Sequence, residues 1–295
     1  MKISNSAAII VTFNPTATLK INVHSLLQQV EYVIVIDNSN NQTTAPVLET
    51  ICSCDGVILI KNGANLGLAQ ALNQGLVWAR LLNCIWVYTF DQDSFAFGQF
   101  CQLLLETFLT KRKELGNIII ASPTYINLDS GLTYNLEKDV NGLMETTMTS
   151  GNLIDLNLAI NLGGFREDFF IDYIDVEFNL RARHYGYKII EVKEAVLEHN
   201  LGNSKRVRFL YKNSVLVTNH SASRRYYNAR NRVRTYIEYF PKFPNWVYKD
   251  LVNFIREVVK LCIYEDEVKS KLSALIKGIY DGLTAKMGQN TRIKL

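Results

Sequence analysis

The sequence predicts an α/β protein in which a mostly parallel sheet is flanked by helices and followed by a helical C-terminal tail. Three observations predict this class. Short apolar runs alternate with amphipathic segments through the first 95 residues, polar residues follow each apolar run directly, and amphipathic segments fill the chain from residue 224 onward. Strands that alternate with helices form parallel sheets, which bind ligands beyond the carboxyl ends of their strands.

The first half of the chain predicts four strands joined by helices. An apolar run at 7–13 indicates a buried strand, and the apolar stripe within 18–30 indicates the helix after it. The other elements predicted here are strands at 32–36 and 57–60, a helix at 68–83 and a strand that ends at Asp91. Because polar residues follow all four strands, one edge of the sheet should collect the hydrogen-bonding groups of a nucleotide-sized site.

The pattern changes after Asp91. Segments 118–122, 146–154 and 188–192 predict further strands, and 127–131 predicts a hairpin turn. Asp155 predicts the N-cap of a short helix, and a second helix starts within 169–181 and ends at Gly186. Three helices are predicted in the tail, at 224–239, 246–264 and 268–284.

Two carboxylates, Asp91 and Asp93, end an apolar, aromatic-rich run. Side chains two residues apart in an extended chain point the same way, so we expect these carboxylates to repel each other unless a cation lies between them. Hard divalent ions prefer such oxygen ligands. The motif therefore predicts a metal with phosphates, and the plain alternative is a solvated turn.

A second carboxylate pair, Asp172 and Asp175, is predicted at a helix start. A spacing of three places both on one face near the positive end of the helix dipole. Ordinary helix capping is the simpler interpretation. The apolar residues 169–171 and 173–174 around the pair favour a binding wall instead, in which a carboxylate could act as a general base.

Two glycines and a histidine are weaker candidates for the site. Gly67 opens a helix after Asn65, where a diphosphate or ribose could approach the helix N-terminus. Gly151 lies in a predicted strand and would let a ligand approach the backbone. His199 follows a strand and could complete a metal site with Asp93, although a lone histidine is more often a structural hydrogen-bonder.

Charge and cysteine usage limit the partners and the compartment. The formal net charge of +4 favours no class of partner, and no nucleic acid is expected. A basic surface for phosphates or anionic lipid is predicted from nine clustered residues: Lys205, Arg206, Arg208, Lys212, Arg224, Arg225, Arg230, Arg232 and Arg234.

Five cysteines without zinc-ligand spacing predict reduced thiols in the cytoplasm. No run approaches the roughly 18 apolar residues that span a bilayer, so we expect a chain that is soluble or lies on a membrane.

The tail helices are aromatic and basic. Their apolar residues include Trp246, Tyr248 and Phe254, and cations such as Lys249 and Lys260 stand among them. The pattern predicts packing against the core, packing against a second subunit in a homodimer, or docking on a membrane surface.

Seven segments occur in the order seen in glycosyltransferase family 2: 11–14, 35–39, 65–69, 90–94, 150–154, 172–181 and 199–204. The chain resembles this family over nearly its whole length, and it is most similar to bacterial rhamnosyltransferases through 90–94, 225–231 and 276–283. The resemblance implies the GT-A fold and an inverting, metal-dependent transfer from a nucleotide sugar. It implies a catalytic domain at 1–223, with a nucleotide-binding half at 1–95 and an acceptor and catalytic half at 96–223, followed by a helical region at 224–295.

The resemblance also implies roles for single residues. The nucleotide pocket would be lined by Thr12 and Asn14, with Asp37 accepting from a pyrimidine ring, Asn65 and Gly67 along the nucleoside, Asp91 on ribose or metal, and Gly151 on the donor. Asp93 and His199 would bind a Mg²⁺ or Mn²⁺ ion that bridges the diphosphate. Asp175 stands where the family has its general base. Ile174 replaces a glutamate common at that site, so the base is either Asp175 or Asp172.

The expected activity is transfer of L-rhamnose from dTDP-L-rhamnose to a saccharide or lipid-linked saccharide acceptor of a bacterial cell-surface polysaccharide, an O-antigen or a capsule. The expected place is the cytoplasm, peripheral at the inner face of the membrane. UDP-galactofuranose or a UDP-hexose is the alternative donor. Alternatives from other classes are a haloacid-dehalogenase-like phosphatase, whose nucleophile lies in a similar motif, and a non-catalytic sugar-nucleotide-binding protein.

Overall fold

The computed structural model describes residues 2–40, 45–127, 133–134, 136–198, 205–209, 213–217 and 219–291. These residues form two compact units. The first unit comprises Met1–Glu167 and Ile174–His199, and the second comprises Asp168–Tyr173 and Asn200–Leu295. The domain boundary expected at residue 223 stays a prediction.

A seven-stranded sheet forms the centre of the first unit. Its strands are β1 (Ile3–Thr12), β2 (Val30–Asp37), β3 (Val57–Lys61), β4 (Trp86–Asp91), β5 (Ile118–Ile126), β6 (Asn152–Asp155) and β7 (Lys188–Glu198). They are ordered β3-β2-β1-β4-β6-β5-β7, and only β6 runs antiparallel to its neighbours. The mostly parallel sheet is therefore confirmed, and β1 to β4 end at one edge.

Six helices accompany the described part of this sheet. They are α1 (Thr18–Leu27), α2 (Ala45–Cys52), α3 (Leu68–Leu81), α4 (Phe100–Leu115), α5 (Leu156–Asn161) and α6 (Ile174–His184). Asp155 caps α5 by accepting from the Leu158 amide, as predicted. Ile9 and Ile10, neighbours on β1 that point to opposite faces, are both fully buried, which indicates that both faces of the sheet are covered.

The strand–helix alternation implied a helix between the second and third strands without giving its bounds, and the structure has α2 there. Two other predictions for the first 175 residues were wrong in detail. The strand expected at 146–154 is limited to β6, because the chain turns at Ser150 and Gly151 before it pairs with β4. Phe169 and Phe170 are buried rather than forming a binding wall. The hairpin turn expected at 127–131 lies largely outside the described residues, although Ile126 and Thr133 form the expected bridge.

The second unit contains the three predicted helices, α7 (Ala222–Tyr239), α8 (Pro244–Tyr264) and α9 (Val268–Leu283). It also contains an antiparallel pair that was not predicted, β8 (Lys205–Phe209) and β9 (Asn213–Val217). Helices α7 and α9 pack very closely: a Cβ atom on Gly278 would lie 2.3 Å from the Tyr226 carbonyl oxygen. Any larger residue at 278 would force the two helices apart.

The prediction of a basic surface is wrong for three of its nine residues. Arg225, Arg230 and Arg232 are buried. Arg225 pairs with Glu265, and Arg232 pairs with Asp250 and Glu257. These cations hold the second unit together and are not available to an external phosphate. Within the part of the chain that the structure describes, none of the helices is long and apolar enough to cross a membrane.

Candidate active site

The carboxyl ends of β1 and β2 are joined by a network of short polar side chains. Asp37 is 4% exposed, and its Oδ1 accepts from the Thr12 hydroxyl at 2.8 Å and from the Ser39 hydroxyl at 2.7 Å. Ser39 Oγ in turn accepts from the Asn14 amide at 2.8 Å. No described residue donates to Oδ2 of Asp37. A buried carboxylate with one oxygen to spare is suited to a ring N–H of a ligand.

The start of α3 lies beside this network. Asn38 donates to the Gly67 carbonyl at 3.0 Å, and Asn65 Oδ1 accepts from the Gly67 amide at 3.0 Å. Gly67 has φ +91°, a conformation that side chains disfavour. The structure thus gives Asn65 and Gly67 a local role in starting α3, and their contact with a nucleoside stays a prediction.

The carboxylates Asp91 and Asp93 stand at the end of β4. The expected strand alternation does not reach Asp93, because β4 ends at Asp91 and Gln92 and Asp93 form a turn. Asp91 is half-buried and Asp93 is exposed. The rule that carboxylates two residues apart point the same way therefore does not apply here.

Neighbouring segments hold this turn in place. The Ser150 hydroxyl group donates to Ser94 Oγ at 2.8 Å, and its oxygen accepts from the Asp91 amide at 3.0 Å. The Gln92 side chain accepts from the Phe13 amide at 3.0 Å. The ends of β1 and β4 are thus tied together at the point where the carboxylates emerge.

Close packing of neighbouring side chains requires glycine at position 151. Its φ is +83°, and a Cβ atom there would lie 2.7 Å from Leu197 Cδ2 and 2.9 Å from Pro123 Cγ. The space next to its Cα is filled by protein rather than left for a ligand. A contact between Gly151 and the donor stays a prediction.

A buried tyrosine links Asp91 with Asp175. Tyr125 is 1% exposed, and its hydroxyl donates to the Ser150 carbonyl at 2.9 Å. Burial raises the pKa of Tyr125, and the nearby charges of Asp175 and Asp91 raise it further. The charges of the two carboxylates thus both act on one hydroxyl group, although the residues lie 84 positions apart in the sequence.

Helix α6 holds Asp175 in its first turn. Asn179 of α6 donates to the Thr147 carbonyl at 2.7 Å, next to Tyr125. Arg181 pairs with the buried Glu177 at 3.0 Å and donates to the Gly164 carbonyl at 2.6 Å. The position of Asp175 is thus fixed by contacts within the first unit.

Asp172 lies in a different setting, in the second unit. It precedes α6 and has φ +63°, so it does not share a helix face with Asp175 as expected. Its carboxylate accepts from Arg224 at 2.7 Å and 3.4 Å. The Asp172 carboxylate is therefore already engaged in an ion pair with Arg224.

The loop that carries Asp172, residues 168–173, is held by α7. Asn231 donates to the carbonyls of Phe169, Ile171 and Asp172 at 2.8 to 2.9 Å. Arg230 donates to the Phe169 carbonyl at 2.9 Å. In the sequence, the segment 225–231 contributes only to the resemblance to rhamnosyltransferases. Nothing in its local residue pattern indicates that these side chains hold a loop about sixty positions earlier.

Oxygen ligands for a divalent ion are available at the end of β4. The buried Asn22 donates to the Asp91 carbonyl at 3.3 Å, and its own Oδ1 has no hydrogen-bond partner among the described residues. The carboxylates of Asp91 and Asp93 add hard oxygen donors, so the donor set fits Mg²⁺ or Mn²⁺. Among the described residues no three acidic, histidine or cysteine side chains form a metal cluster, and His199 lies outside them.

The fold and the strand-end site define an α/β protein whose ligands bind at the carboxyl edge of a mostly parallel sheet. Residues 7–163, more than half of the chain, match glycosyl transferase family 2. The dTDP-rhamnosyl transferase RfbF of Shigella flexneri is 32% identical over 246 residues, which cover 77% of this chain and 78% of that protein. The chain therefore belongs to glycosyl transferase family 2 and is a glycosyltransferase.

Solved structures show the same fold. The mannosyltransferase PcManGT from Pyrobaculum calidifontis, in complex with GDP-Man and Mn²⁺, aligns with a TM-score of 0.61 and 14% identity over 96% of this chain and 88% of that one. TarS of S. aureus aligns with a TM-score of 0.51 and 16% identity over 66% of this chain and 36% of that one. The GT-A fold is thus confirmed. Membership of glycosyl transferase family 2 argues against both alternatives from other classes, the phosphatase and the non-catalytic sugar-nucleotide-binding protein.

Proposed function

We propose that this glycosyltransferase transfers L-rhamnose from dTDP-L-rhamnose, with inversion, to a saccharide or lipid-linked saccharide acceptor of a bacterial surface polysaccharide in the cytoplasm. The observation that carries the proposal is the set of carboxylates at the ends of parallel strands. Asp37 ends β2 and Asp91 ends β4 at the same edge of the sheet, and the charges of Asp91 and Asp175 both raise the pKa of Tyr125. The relative from Shigella flexneri supports the choice of donor, since it is named a dTDP-rhamnosyl transferase.

Asp37 suits a thymine or uracil base. Such a base carries one ring N–H between two carbonyl groups, and Oδ2 of Asp37 can accept that hydrogen. An adenine presents an acceptor nitrogen at the equivalent position, which a carboxylate would repel. Thr12 and Ser39 hold Asp37 in position from the side of Oδ1.

Asp91 and Asp93 would hold Mg²⁺ or Mn²⁺, and His199 remains the proposed third ligand. When bound, the ion supplies positive charge that neutralises the diphosphate of the donor. Asp175 would accept the proton of the acceptor hydroxyl. The acceptor oxygen then forms a bond to the anomeric carbon as the bond from that carbon to the diphosphate breaks, and dTDP leaves with the electron pair.

Asp175 is the better base of the two candidates. Arg224 already pairs with Asp172, whereas Asp175 lies in the unit that contains Asp91.

A donor panel tests the proposal. Thermal unfolding of the protein should be measured with dTDP-L-rhamnose, UDP-galactofuranose, UDP-glucose, GDP-mannose and ADP, each with and without Mn²⁺. A ligand at 100 times its Kd stabilises the folded state by about 2.7 kcal/mol. We expect the largest stabilisation from dTDP-L-rhamnose with Mn²⁺. A larger effect of UDP-galactofuranose or UDP-glucose would change the donor while leaving the class intact.

Two variants separate the parts of the site. Asp37→Ala should reduce the preference for pyrimidine over purine nucleotides, and Asp93→Ala should remove the effect of Mn²⁺ on dTDP binding. Glu114→Ala, an exposed carboxylate on α4, is the control. Unchanged Mn²⁺ dependence of dTDP binding in Asp93→Ala, measured by titration calorimetry, would contradict the metal assignment.

A further inference from the structure

Helix α8 carries an exposed apolar stripe. Five residues at spacings of three or four lie along one line of the helix and are 40 to 69% exposed: Tyr248, Leu251, Ile255, Val259 and Ile263. The opposite side of the helix is buried through Trp246, Phe254 and Leu261. The stripe is therefore a second apolar face, separate from the one that packs within the unit.

The charges of α8 are segregated by sign. Lys249, Arg256 and Lys260 are exposed, and their spacings of seven and four place them on one flank of the stripe. Both acidic residues of the helix pair with the buried Arg232, Asp250 at 3.0 Å and Glu257 at 3.2 Å. The solvent-facing side of α8 thus combines apolar residues with three exposed cations, and its more exposed acid, Glu257, is neutralised by the pair with Arg232. The exposed acids Asp266 and Glu267 come after the helix has ended.

We propose that this face of α8 docks on an anionic membrane surface. A helix with an apolar stripe and cations beside it lies in the interface plane, with the stripe among the acyl chains and the cations at the headgroups. Each cation near such a surface contributes about fivefold to binding. Antiparallel packing of α8 on a second protein copy would place the cationic flanks on the same side, where they repel, so the charge pattern favours the membrane. The proposal is independent of the donor sugar and of the general base.

Helix α4 shows what an ordinary solvent-facing helix of this chain looks like. Its Leu109 is 42% exposed, like Leu251 of α8. The exposed charges near Leu109 have both signs, and Lys111 pairs with Glu114 at 2.7 Å. Leu109 therefore provides a matched control for exposure without a cationic flank.

Flotation of the full-length protein with vesicles tests the proposal. Vesicles of phosphatidylcholine alone should be compared with vesicles that contain about 30% phosphatidylglycerol, which gives the surface a negative potential. We expect recovery with the anionic vesicles and a loss of recovery at high salt. The double variant I255D/I263D should reduce the binding constant more than about tenfold, and R256E/K260E should reduce it more than about twentyfold, while L109D should bind like the wild type.

Two controls separate membrane docking from loss of folding and from dimerisation. Circular dichroism must be unchanged in each variant, which shows that the variant is folded. Binding of dTDP must also be unchanged, so that a defect in vesicle binding is distinguished from a defect in the nucleotide site. Equal recovery with neutral and anionic vesicles would overturn the proposal. So would light scattering that shows a wild-type dimer converted to monomers by I255D/I263D, since the stripe would then be a subunit interface.

Discussion

The donor edge, formed by the ends of β1, β2 and β4, and the loop 168–173 are fixed in opposite ways. At the donor edge the backbone is regular strand up to Thr12, Asp37 and Asp91, and short side chains bond to one another across neighbouring strands. In the loop, Phe170, Asp172 and Tyr173 all have φ between +63° and +65°. Residues other than glycine rarely adopt this left-handed conformation, which costs about 1–2 kcal/mol each.

This difference predicts which of the two regions tolerates the loss of a single hydrogen bond. Asp37 keeps the Ser39 hydrogen bond if the Thr12 hydroxyl is removed, and the sheet still holds both strands. In the middle of the loop one side chain, Asn231, donates to both the Ile171 and the Asp172 carbonyl, while Gly288 and Asp250 add contacts only at the loop's two ends. We therefore expect graded effects at the donor edge and abrupt effects in the loop.

The largest effect is expected for Asp175→Asn, which should lower transfer by roughly 10²-fold to 10⁴-fold while dTDP-sugar binding is kept. The amide has the shape of the carboxylate but cannot accept the proton. Single-turnover transfer and titration calorimetry measure the two quantities separately. Asp172→Asn is the matched variant and should retain most activity, since its carboxylate is engaged by Arg224. An inactive Asp172→Asn beside an active Asp175→Asn would reverse the roles of the two residues.

Asn231→Ala should destabilise the protein by about 2–4 kcal/mol, because the Ile171 and Asp172 carbonyl groups lose their donor and the strained loop is released, while the Phe169 carbonyl keeps the hydrogen bond from Arg230. Urea-induced unfolding measures the change, and limited proteolysis within 168–173 shows whether the loop is the part that opens. Asn228→Ala, at a half-buried position on the same helix, is the control. If both variants lost the same stability, the loop would not depend on Asn231.

His220 adds a pH dependence to the unit that contains the loop 168–173. Burial and, to a smaller extent, the charge of Arg224 lower the pKa of His220 to about 4. The unfolded state therefore binds more protons than the folded state between about pH 6.5 and 4, and stability falls as the pH falls through this window. Between about pH 7 and 5 the loss is about 2 kcal/mol. Urea unfolding of the wild type and of His220→Gln at both pH values should show this loss in the wild type alone.

The sequence predicted the parts of the molecule that depend on local patterns. The four parallel strands were found because each apolar run ends in polar residues, and the tail helices because their apolar spacing is regular. Asp155 was identified as a cap from its position alone. The loop 168–173 could not be derived, because its conformation is set by Asn231 and Arg230, about sixty residues later.

The burial and the partners of individual side chains could also not be predicted from the sequence. Arg225, Arg230 and Arg232 looked like a basic surface, since sequence spacing does not show that Glu265, Asp250 and Glu257 meet two of them in three dimensions. The same limit applies to Ser94 and Ser150, which fix the turn after β4. A serine is too common for its position in the sequence to indicate such a role. The roles assigned to the site residues stay predictions.

The smallest effect is expected at the donor edge, for Thr12→Val. The substitution keeps the shape of the side chain and removes one hydroxyl, so Asp37 loses the 2.8 Å hydrogen bond and keeps the one from Ser39. One hydrogen bond contributes about 1 kcal/mol to stability, or up to roughly fivefold in the affinity for dTDP if the effect falls on binding. Urea unfolding and titration calorimetry measure both. A loss above about 2 kcal/mol in either would show that the donor edge depends on single contacts as strongly as the loop 168–173 does.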